Sequence, residues 1–313
     1  MSRPEIILVE PMLPVIEARL DADYIVHRLF DPAGRDAALA ARPRIRAVVT
    51  GGGSGIGSDW IEAMPELGIV AINGVGTDRV DLALARARGV DVTTTPGTLT
   101  DDVADMGMAL MLAALRRIVE GDGFVRAGRW AAGEKFPLGA SLRGRRLGIL
   151  GFGQIGQALA RRAAAFGMVV SYWDRVTIPG VNLPRLPDPA ALASESDVLA
   201  ICVAAMPETK GLVDAGLLGA LGPSGVVVNI ARGSVVNEPD LIAALRAGAI
   251  AAAGLDVFDS EPGIRAEFLS LPNVVLTPHQ ASATVETRVA MGEAVLANLA
   301  AYFAGVRPPA LVN

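Results

Sequence analysis

Several residue types are scarce in this chain, and each scarcity excludes something. One cysteine, Cys202, stands among 313 residues, so no internal disulfide can form. It lies in the apolar run 197–203 and reads as a buried core thiol, which fits a reducing cytoplasm. With two histidines and that single cysteine, no metal-ligand set is expected. No charge of one sign dominates: 28 basic and 33 acidic side chains leave a net charge of −5. The densest basic stretch, Arg143-Gly144-Arg145-Arg146, reads as a solvated turn before a strand, so no nucleic-acid partner is expected. Long apolar runs are missing too. The most apolar helical stretch, 103–115, sits between Asp102 and Arg116 and is too short to cross a bilayer, which takes about 20 residues. The start, Met1-Ser2-Arg3-Pro4-Glu5, leads into a short strand pattern and does not read as a signal peptide. Aromatics make up 4% of the chain while alanine is abundant, a composition suited to helices packed closely on a sheet. No repeat of fixed period stands out.

What is present alternates. Strand-like runs at 6–10, 24–30, 46–50, 69–73 and 90–94 are separated by helical stretches such as 59–67 and 79–88. A second set of strand-like runs lies at 146–150, 169–173, 198–203, 226–230, 251–256 and 274–277. Alternation of this kind predicts parallel sheets covered by helices on both faces, and the length allows two such domains. Between the sets lies a long helix with Thr100 and Asp101 as N-cap candidates. Its Met106, Met108, Leu110, Met111, Leu112 and Leu115 spread around most of the circumference, which predicts burial against the second domain and against another subunit. A last long helix spans 285–303.

A glycine fingerprint, Gly151-Phe152-Gly153-Gln154-Ile155-Gly156, follows the strand-like run 146–150 and opens a helical pattern. The first glycine permits a tight turn, the second lets backbone approach a pyrophosphate, and the third lets helix and strand pack closely. The helix N-terminus adds free N–H groups and a positive dipole end. Asp174 follows the next strand-like run, where a carboxylate accepts from a ribose diol and repels a 2′-phosphate, which favours NAD. Arg175 beside it offers a 2′-phosphate partner, so NADP is the alternative.

Candidates for proton transfer are few. His27 lies in a strand-like run and reads as an ordinary surface or core residue. His279, in Thr277-Pro278-His279-Gln280-Ala281-Ser282, follows the last strand-like run, and the carboxyl ends of strands face the ligand crevice in an open α/β sheet. It is a general acid/base candidate, against the plainer reading of a loop histidine capping a helix. Two further strand ends present Arg232, in Asn229-Ile230-Ala231-Arg232-Gly233, and Asp256 with Glu261, in the stretch from Gly254 to Pro262. An arginine can grip a carboxylate with two prongs and polarise a carbonyl. Taken singly, Arg232 and Glu261 read as surface ion pairs; the case rests on all three residues ending strands of one sheet.

These motifs, in this order, resemble the D-isomer-specific 2-hydroxyacid dehydrogenase family, with most similarity to its hydroxypyruvate, glyoxylate and hydroxyphenylpyruvate reductase branch. Earlier stretches agree: Val75-Gly76-Thr77-Asp78, then Thr94-Thr95-Pro96-Gly97-Thr98-Leu99-Thr100, then Asp102-Val103-Ala104-Asp105. The resemblance implies an α/β fold of two doubly wound parallel-sheet domains, a Rossmann cofactor domain (100–285) inserted into a flavodoxin-like substrate domain (1–99 plus 286–313), with the site in the cleft. It implies a homodimer joined through residues 100–136. It also implies roles. Protonated His279 would give its proton to the developing alkoxide, Glu261 would hold the imidazole in its charged form, and Arg232 would bind the substrate carboxylate and polarise the keto oxygen. Backbone N–H groups near Val75 and Gly76 would hold the other carboxylate oxygen, and the loop of Gly52, Gly53, Ser54 and Gly55 would close over the substrate. Asp256 would contact the nicotinamide carboxamide, and Val203, Ala204, Ile230, Ala231 and Ser282 would line the cofactor.

Some positions depart from the family's pattern. The loop from Thr50 to Gly57 is unusually rich in glycine and has no lysine or arginine, which counts against a phosphorylated substrate. Ala204 stands where a proline is usual. Asp174 stands where NADP-dependent relatives of the branch carry a small polar residue. With the sequence ending at Asn313, no appended regulatory domain is expected. Two other readings compete. A formate-oxidising enzyme would be expected to pair its histidine with glutamine, and Glu261 speaks against it. A nucleotide-sensing binding protein of the co-repressor kind would retain similar residues, yet no partner-binding extension is visible. The expectation is a cytoplasmic oxidoreductase moving hydride between NAD, or NADP, and a small D-2-hydroxy acid or 2-keto acid, with glyoxylate or hydroxypyruvate the first substrates to try.

Overall fold

The computed structural model describes residues 3–313; Met1 and Ser2, the first residues of the N-terminal stretch read above, lie outside the described residues. The chain divides into two compact units, Met1–Leu99 with Ser282–Asn313, and Thr100–Ala281.

The first unit opens with β1 (Glu5–Leu8), α1 (Pro14–Asp23), β2 (Ile25–Arg28), α2 (Pro32–Ala41), β3 (Ile45–Gly51), α3 (Ser58–Glu62), β4 (Ile69–Asn73), α4 (Leu82–Ala87) and β5 (Asp91–Thr93). The strands are all parallel in the order β2-β1-β3-β4-β5. Parallel strands covered on both faces need apolar residues on both, and β3 and β4 are buried along nearly their whole length. Alternation sorts the side chains. Ile7, Val48, Val70, Ile72 and Val92 form one core with Ala38, Ile61 and Ala85 of the flanking helices. Ile6, Leu8, Ala47, Val49, Ile69 and Ala71 form the other, against Ile16 and Leu20 of α1.

The second unit comprises α5 (Thr100–Arg116), α6 (Ile118–Arg126), β6 (Arg146–Leu150), α7 (Gln154–Ala165), β7 (Val169–Trp173), α8 (Pro189–Ser194), β8 (Val198–Ile201), α9 (Ala215–Leu221), β9 (Val226–Asn229), α10 (Glu238–Ala247), β10 (Ala252–Leu255) and β11 (Val274–Leu276). Its parallel sheet runs β11-β10-β9-β8-β6-β7. The chain then returns to the first unit as α11 (Val285–Phe303), whose Val295, Leu296 and Leu299 complete the core beside α1.

All eleven strands fall within a residue or two of the expected runs. The helices differ more. The stretch 59–67 forms only α3, ending at Glu62, because Pro65 disfavours helical backbone at Met64. Likewise, 79–88 is helical only as α4, which Asp81 caps by accepting from the Leu84 N–H at 2.9 Å. Thr100 is already inside α5, so neither Thr100 nor Asp101 caps it. Nor is α5 sealed all round. Val103, Ala104, Gly107, Met108, Leu110, Met111 and Leu115 are buried, while Met106 and Ala113 are partly open and Ala109 is exposed.

Small residues let α5 lie this close to the sheet. A Cβ on Gly107 would stand 3.0 Å from Ile230 Cδ1, and one on Gly254 of β10 would stand 2.9 Å from Leu110 Cβ. Cys202 follows β8; burial pushes its thiol up to about 12, so it supplies no thiolate near neutral pH. Because overpacking a tight contact costs about 1–3 kcal/mol, Gly254→Val should destabilise the protein by that amount. A lowered urea midpoint at unchanged slope checks it.

Candidate active site

In the second sheet the crossovers change direction at β6, whose neighbours are β7 and β8. Ligands of such sheets bind at the carboxyl ends of the strands around that point. The loop after β6 is the glycine fingerprint. Gly151 has φ +91°, and a Cβ there would lie 2.5 Å from the Val203 backbone nitrogen. A Cβ on Gly156 would lie 2.4 Å from the Gly151 carbonyl oxygen, so α7 sits directly on the turn. Gly153, by contrast, faces open space, with nothing within 4 Å of a Cβ position. Gly153 N-caps α7 without any side-chain bond to the helix end. Exposed Gln154 and half-buried Ile155 form the first turn. An uncapped helix end behind an open glycine fits a dinucleotide's pyrophosphate. Asp174 ends β7 and reaches back to this loop, Oδ2 accepting from the Phe152 N–H at 2.8 Å and Oδ1 from the Val176 N–H at 3.2 Å. Arg175 is exposed beside it.

The loops after β9, β10 and β11 come together at the same end of the sheet. Asn229, almost wholly buried, shapes the first: its Nδ2 donates to the Arg232 carbonyl at 3.0 Å and its Oδ1 accepts from the Ala231 N–H at 3.0 Å. Gly233 presses against the second loop, where a Cβ would stand 1.9 Å from the Phe258 carbonyl carbon. The Phe258 N–H donates to Glu261 Oε1 at 2.7 Å, and Glu261 Oε2 meets His279 Nδ1 at 2.6 Å. Burial raises the Glu261 carboxyl, but the His279 and Phe258 hydrogen bonds and the charges of His279 and Arg232 outweigh it and hold the group below the usual glutamate range. Arg232, Glu261 and His279 thus form one electrostatic cluster. With Nδ1 engaged, Nε2 is the histidine's remaining nitrogen.

Asp256, expected among the cofactor contacts, is tied into the loop after β11. Its side chain has no exposed surface. Oδ1 accepts from the Thr277 hydroxyl at 2.6 Å and the Gln280 N–H at 2.9 Å, and Oδ2 accepts from the Ala281 N–H at 2.9 Å. Its carbonyl accepts the His279 N–H at 2.8 Å. Asp256 therefore positions the histidine loop. The clamp holds His279 at φ +49°, a left-handed conformation that side chains other than glycine seldom adopt and that surrounding contacts must enforce. Val203, Ala204 and Ala231 lie at the strand ends with some exposure, Ile230 is buried, and Ser282 is half-buried and belongs to the first unit.

In the first unit, the substrate-loop candidates follow β3 and β4. Gly52 and Gly74 are backbone neighbours, since a Cβ on Gly74 would lie 3.3 Å from the Gly52 nitrogen. Gly53, Ser54 and Val75 are exposed and Gly76 is half-buried. Among the described residues, the N–H groups of Gly53, Ser54, Val75 and Gly76 have no acceptor.

Comparison with known proteins decides the family. The model for the D-isomer specific 2-hydroxyacid dehydrogenase, NAD binding domain, matches residues 108–281. The chain belongs to the D-isomer specific 2-hydroxyacid dehydrogenase family. It is 48% identical over 302 residues to the 2-ketogluconate reductase of Gluconobacter oxydans (strain 621H), covering 96% of each chain. It is 43% identical over 301 residues to the hydroxyphenylpyruvate reductase of Plectranthus scutellarioides, again covering 96% of each. Among solved structures, the NADPH-dependent glyoxylate/hydroxypyruvate reductase of Sinorhizobium meliloti, in complex with NADP and malonate, matches with a TM-score of 0.93 at 40% identity, covering 99% of this chain and 97% of that one. This dehydrogenase is an NAD(P)-dependent oxidoreductase of 2-hydroxy acids, on the Rossmann-containing two-domain fold of its relatives.

Sequence reasoning missed some residues here. Arg185, eleven residues on from Asp174, donates to its main-chain carbonyl from Nη2 at 2.7 Å, which brings another guanidinium to the end of β7. No motif marks it, since the contact forms only when the segment after β7 folds back. Asn229 was in view as a motif member, but not as the brace for Arg232. Gly151 yields a direct check. Its left-handed backbone and the close Val203 nitrogen leave no room for a methyl group, so Gly151→Ala should weaken NAD(H) binding at least tenfold, read by nicotinamide fluorescence titration.

Proposed function

We propose that this enzyme reduces small 2-keto acids to D-2-hydroxy acids, glyoxylate and hydroxypyruvate first among them, with NADH preferred over NADPH. The observation that carries the proposal is the Glu261–His279 pair, with the Arg232 charge beside it, at the carboxyl end of the sheet that bears the fingerprint. The second unit, by this reading, binds the cofactor through Gly151, Gly153, Gln154, Ile155, Gly156 and Asp174, and the first unit supplies substrate contacts through Gly52, Gly53, Ser54, Val75 and Gly76. A bound reduced nicotinamide supplies hydride to the keto carbon. The guanidinium of Arg232 grips the substrate carboxylate and draws electron density onto the keto oxygen. His279 gives a proton from Nε2 to that oxygen as it becomes an alkoxide, and Glu261 keeps the ring oriented and balances its positive charge. In oxidation, neutral His279 takes the proton back.

The preference for NADH rests on Asp174. Its carboxylate, fixed against the Phe152 N–H, accepts from a ribose diol and repels a 2′-phosphate, while Arg175 and Arg185 soften the repulsion. We also read residues 100–136 as a homodimer face. Ile118, Val119, Val125 and Trp130 are at least half exposed there, and a hollow of about 610 Å³ between Val119, Leu138 and Val274 opens at the amino-terminal end of the sheet, away from the chemistry. No helix among the described residues is long and apolar enough to cross a membrane. The single cysteine fits a cytoplasmic enzyme.

Steady-state rates on a panel of 2-keto acids with each reduced cofactor test the reading; no turnover on any of them overturns it in favour of a binding protein. His279→Ala should lower kcat by roughly 100-fold or more, the scale of general acid catalysis, with NADH binding kept. The Glu261–His279 pair exists while Glu261 is ionised and is lost as pH falls through its lowered pKa, so wild-type kcat should hold until the pH drops below the ordinary glutamate range. Glu261→Gln should show a lower kcat without that acid step. Asp174→Ser should shift the NADPH to NADH ratio of kcat/KM upward; an unchanged ratio removes Asp174 from cofactor choice.

A further inference from the structure

The order β2-β1-β3-β4-β5 gives the first sheet its own change of crossover direction, between β1 and β3. Crevices outside the carboxyl ends of such a strand pair are where doubly wound sheets take ligands. Glu10 follows β1 and the glycine loop follows β3, so both stand at that point. Along β1, Ile6 and Leu8 face α1 and α11, and Glu10 continues the same alternation. On β3 the matching row is Ala47, Val49 and Gly51, and on β4 it is Ile69, Ala71 and Asn73, with Gly51 and Asn73 paired in register. Each apolar row thus ends at the crevice in a residue that is polar or has no side chain.

The Glu10 carboxylate lies on Gly51. A Cβ there would stand 2.0 Å from Oε1, so only glycine admits the carboxylate. Oε2 accepts the hydroxyl of Ser54, in the middle of the loop. Among the described residues no lysine or arginine pairs with Glu10, and Oε1 has no donor. On the far side of Gly51, Asn73 of β4 is 7% exposed, and its Oδ1 is buried with no hydrogen-bond partner. Glu10, part exposed, and the buried Asn73 acceptor thus end the rows on either side of Gly51, and Glu10 Oε1 and Asn73 Oδ1 both lack a donor. Unpaired buried acceptors are costly, and a ligand hydroxyl supplies what they lack.

We propose that Glu10 is a specificity-determining residue, which accepts hydrogen bonds from the hydroxyl groups of a polyhydroxylated 2-keto acid, a sugar-acid substrate, beyond its reacting end. The inference rests on the 2-keto acid reading above. By that reading the substrate carboxylate takes the N–H groups of Val75 and Gly76, which have no acceptor among the described residues, so a carboxylate side chain serves the other end of the substrate. No bulky side chain stands at Gly52, Gly53 or Ser54 on the loop beside Glu10. An unneutralised Glu10 also rejects a substrate with a second carboxylate or a phosphate at that end, by like-charge repulsion.

The test compares wild-type enzyme, Glu10→Ala and Glu10→Gln on glyoxylate, 2-ketogluconate and 2-oxoglutarate, with kcat/KM for each. Glu10→Ala should lower the kcat/KM ratio of 2-ketogluconate to glyoxylate by roughly 10- to 100-fold relative to wild type, the scale of hydrogen bonds to a charged group. Glu10→Gln, which keeps the shape, should raise the ratio for 2-oxoglutarate over glyoxylate. A Glu10 that merely braces the loop through Ser54 would move all three substrates together, and unchanged ratios in both variants overturn the proposal. A wild-type enzyme that reduces glyoxylate but not 2-ketogluconate overturns this inference and leaves the reading of the active site standing. One that reduces no 2-keto acid overturns both.

Discussion

The buried carboxylate of Asp256 holds the chemistry end of the second sheet together. It closes on three donors from the loop after β11, while its own carbonyl takes the His279 N–H. A carboxyl group with no exposed surface needs hydrogen bonds in place of water, and these three supply them. In return the loop is fixed, and His279 is kept in a backbone conformation that it would leave if free. Everything proposed for the imidazole depends on this clamp.

A similar economy of backbone governs the neighbouring loops. Asn229 braces the turn that presents Arg232, Gly233 lets that turn touch Phe258, and the Phe258 N–H anchors Glu261. The loops that carry Arg232 and Glu261 are placed by backbone and a buried amide group, and the anchored Glu261 in turn engages His279. Such placement holds donors and acceptors still before a substrate arrives, which is where electrostatic catalysis gains most. The ionised state of Glu261 follows from the same arrangement, since its hydrogen bonds and neighbouring charges outweigh its burial.

The two sheets use one device twice. In each, the crossovers reverse at a strand pair, β6 and β8 in one and β1 and β3 in the other, and glycine-rich backbone fills the loop there. The second sheet sets its loop before an uncapped helix end, an arrangement that suits phosphates. The first has no such helix at its loop; α3 begins only after Gly57, and an acidic side chain lies on the glycines instead. Opposite charge at the two loops suits opposite ligands, an anion in one and hydroxyl groups in the other.

The sequence by itself determined the strands, the fold class and the family. Parallel strands buried on both faces appear as short apolar runs that nothing else in the chain imitates, and the fingerprint and the motifs around Arg232, Glu261 and His279 are local in sequence. Helix ends were less legible, because Pro65 and the start of α5 depend on turns rather than periodicity. Only the tertiary structure decided which way Asp256 faces, that Arg185 folds back to Asp174, and that Glu10 lies on Gly51. Each of these joins residues separated by a crossover or a loop. Their spacing in the chain carries no trace of the contact, which exists only once strand order and register are set.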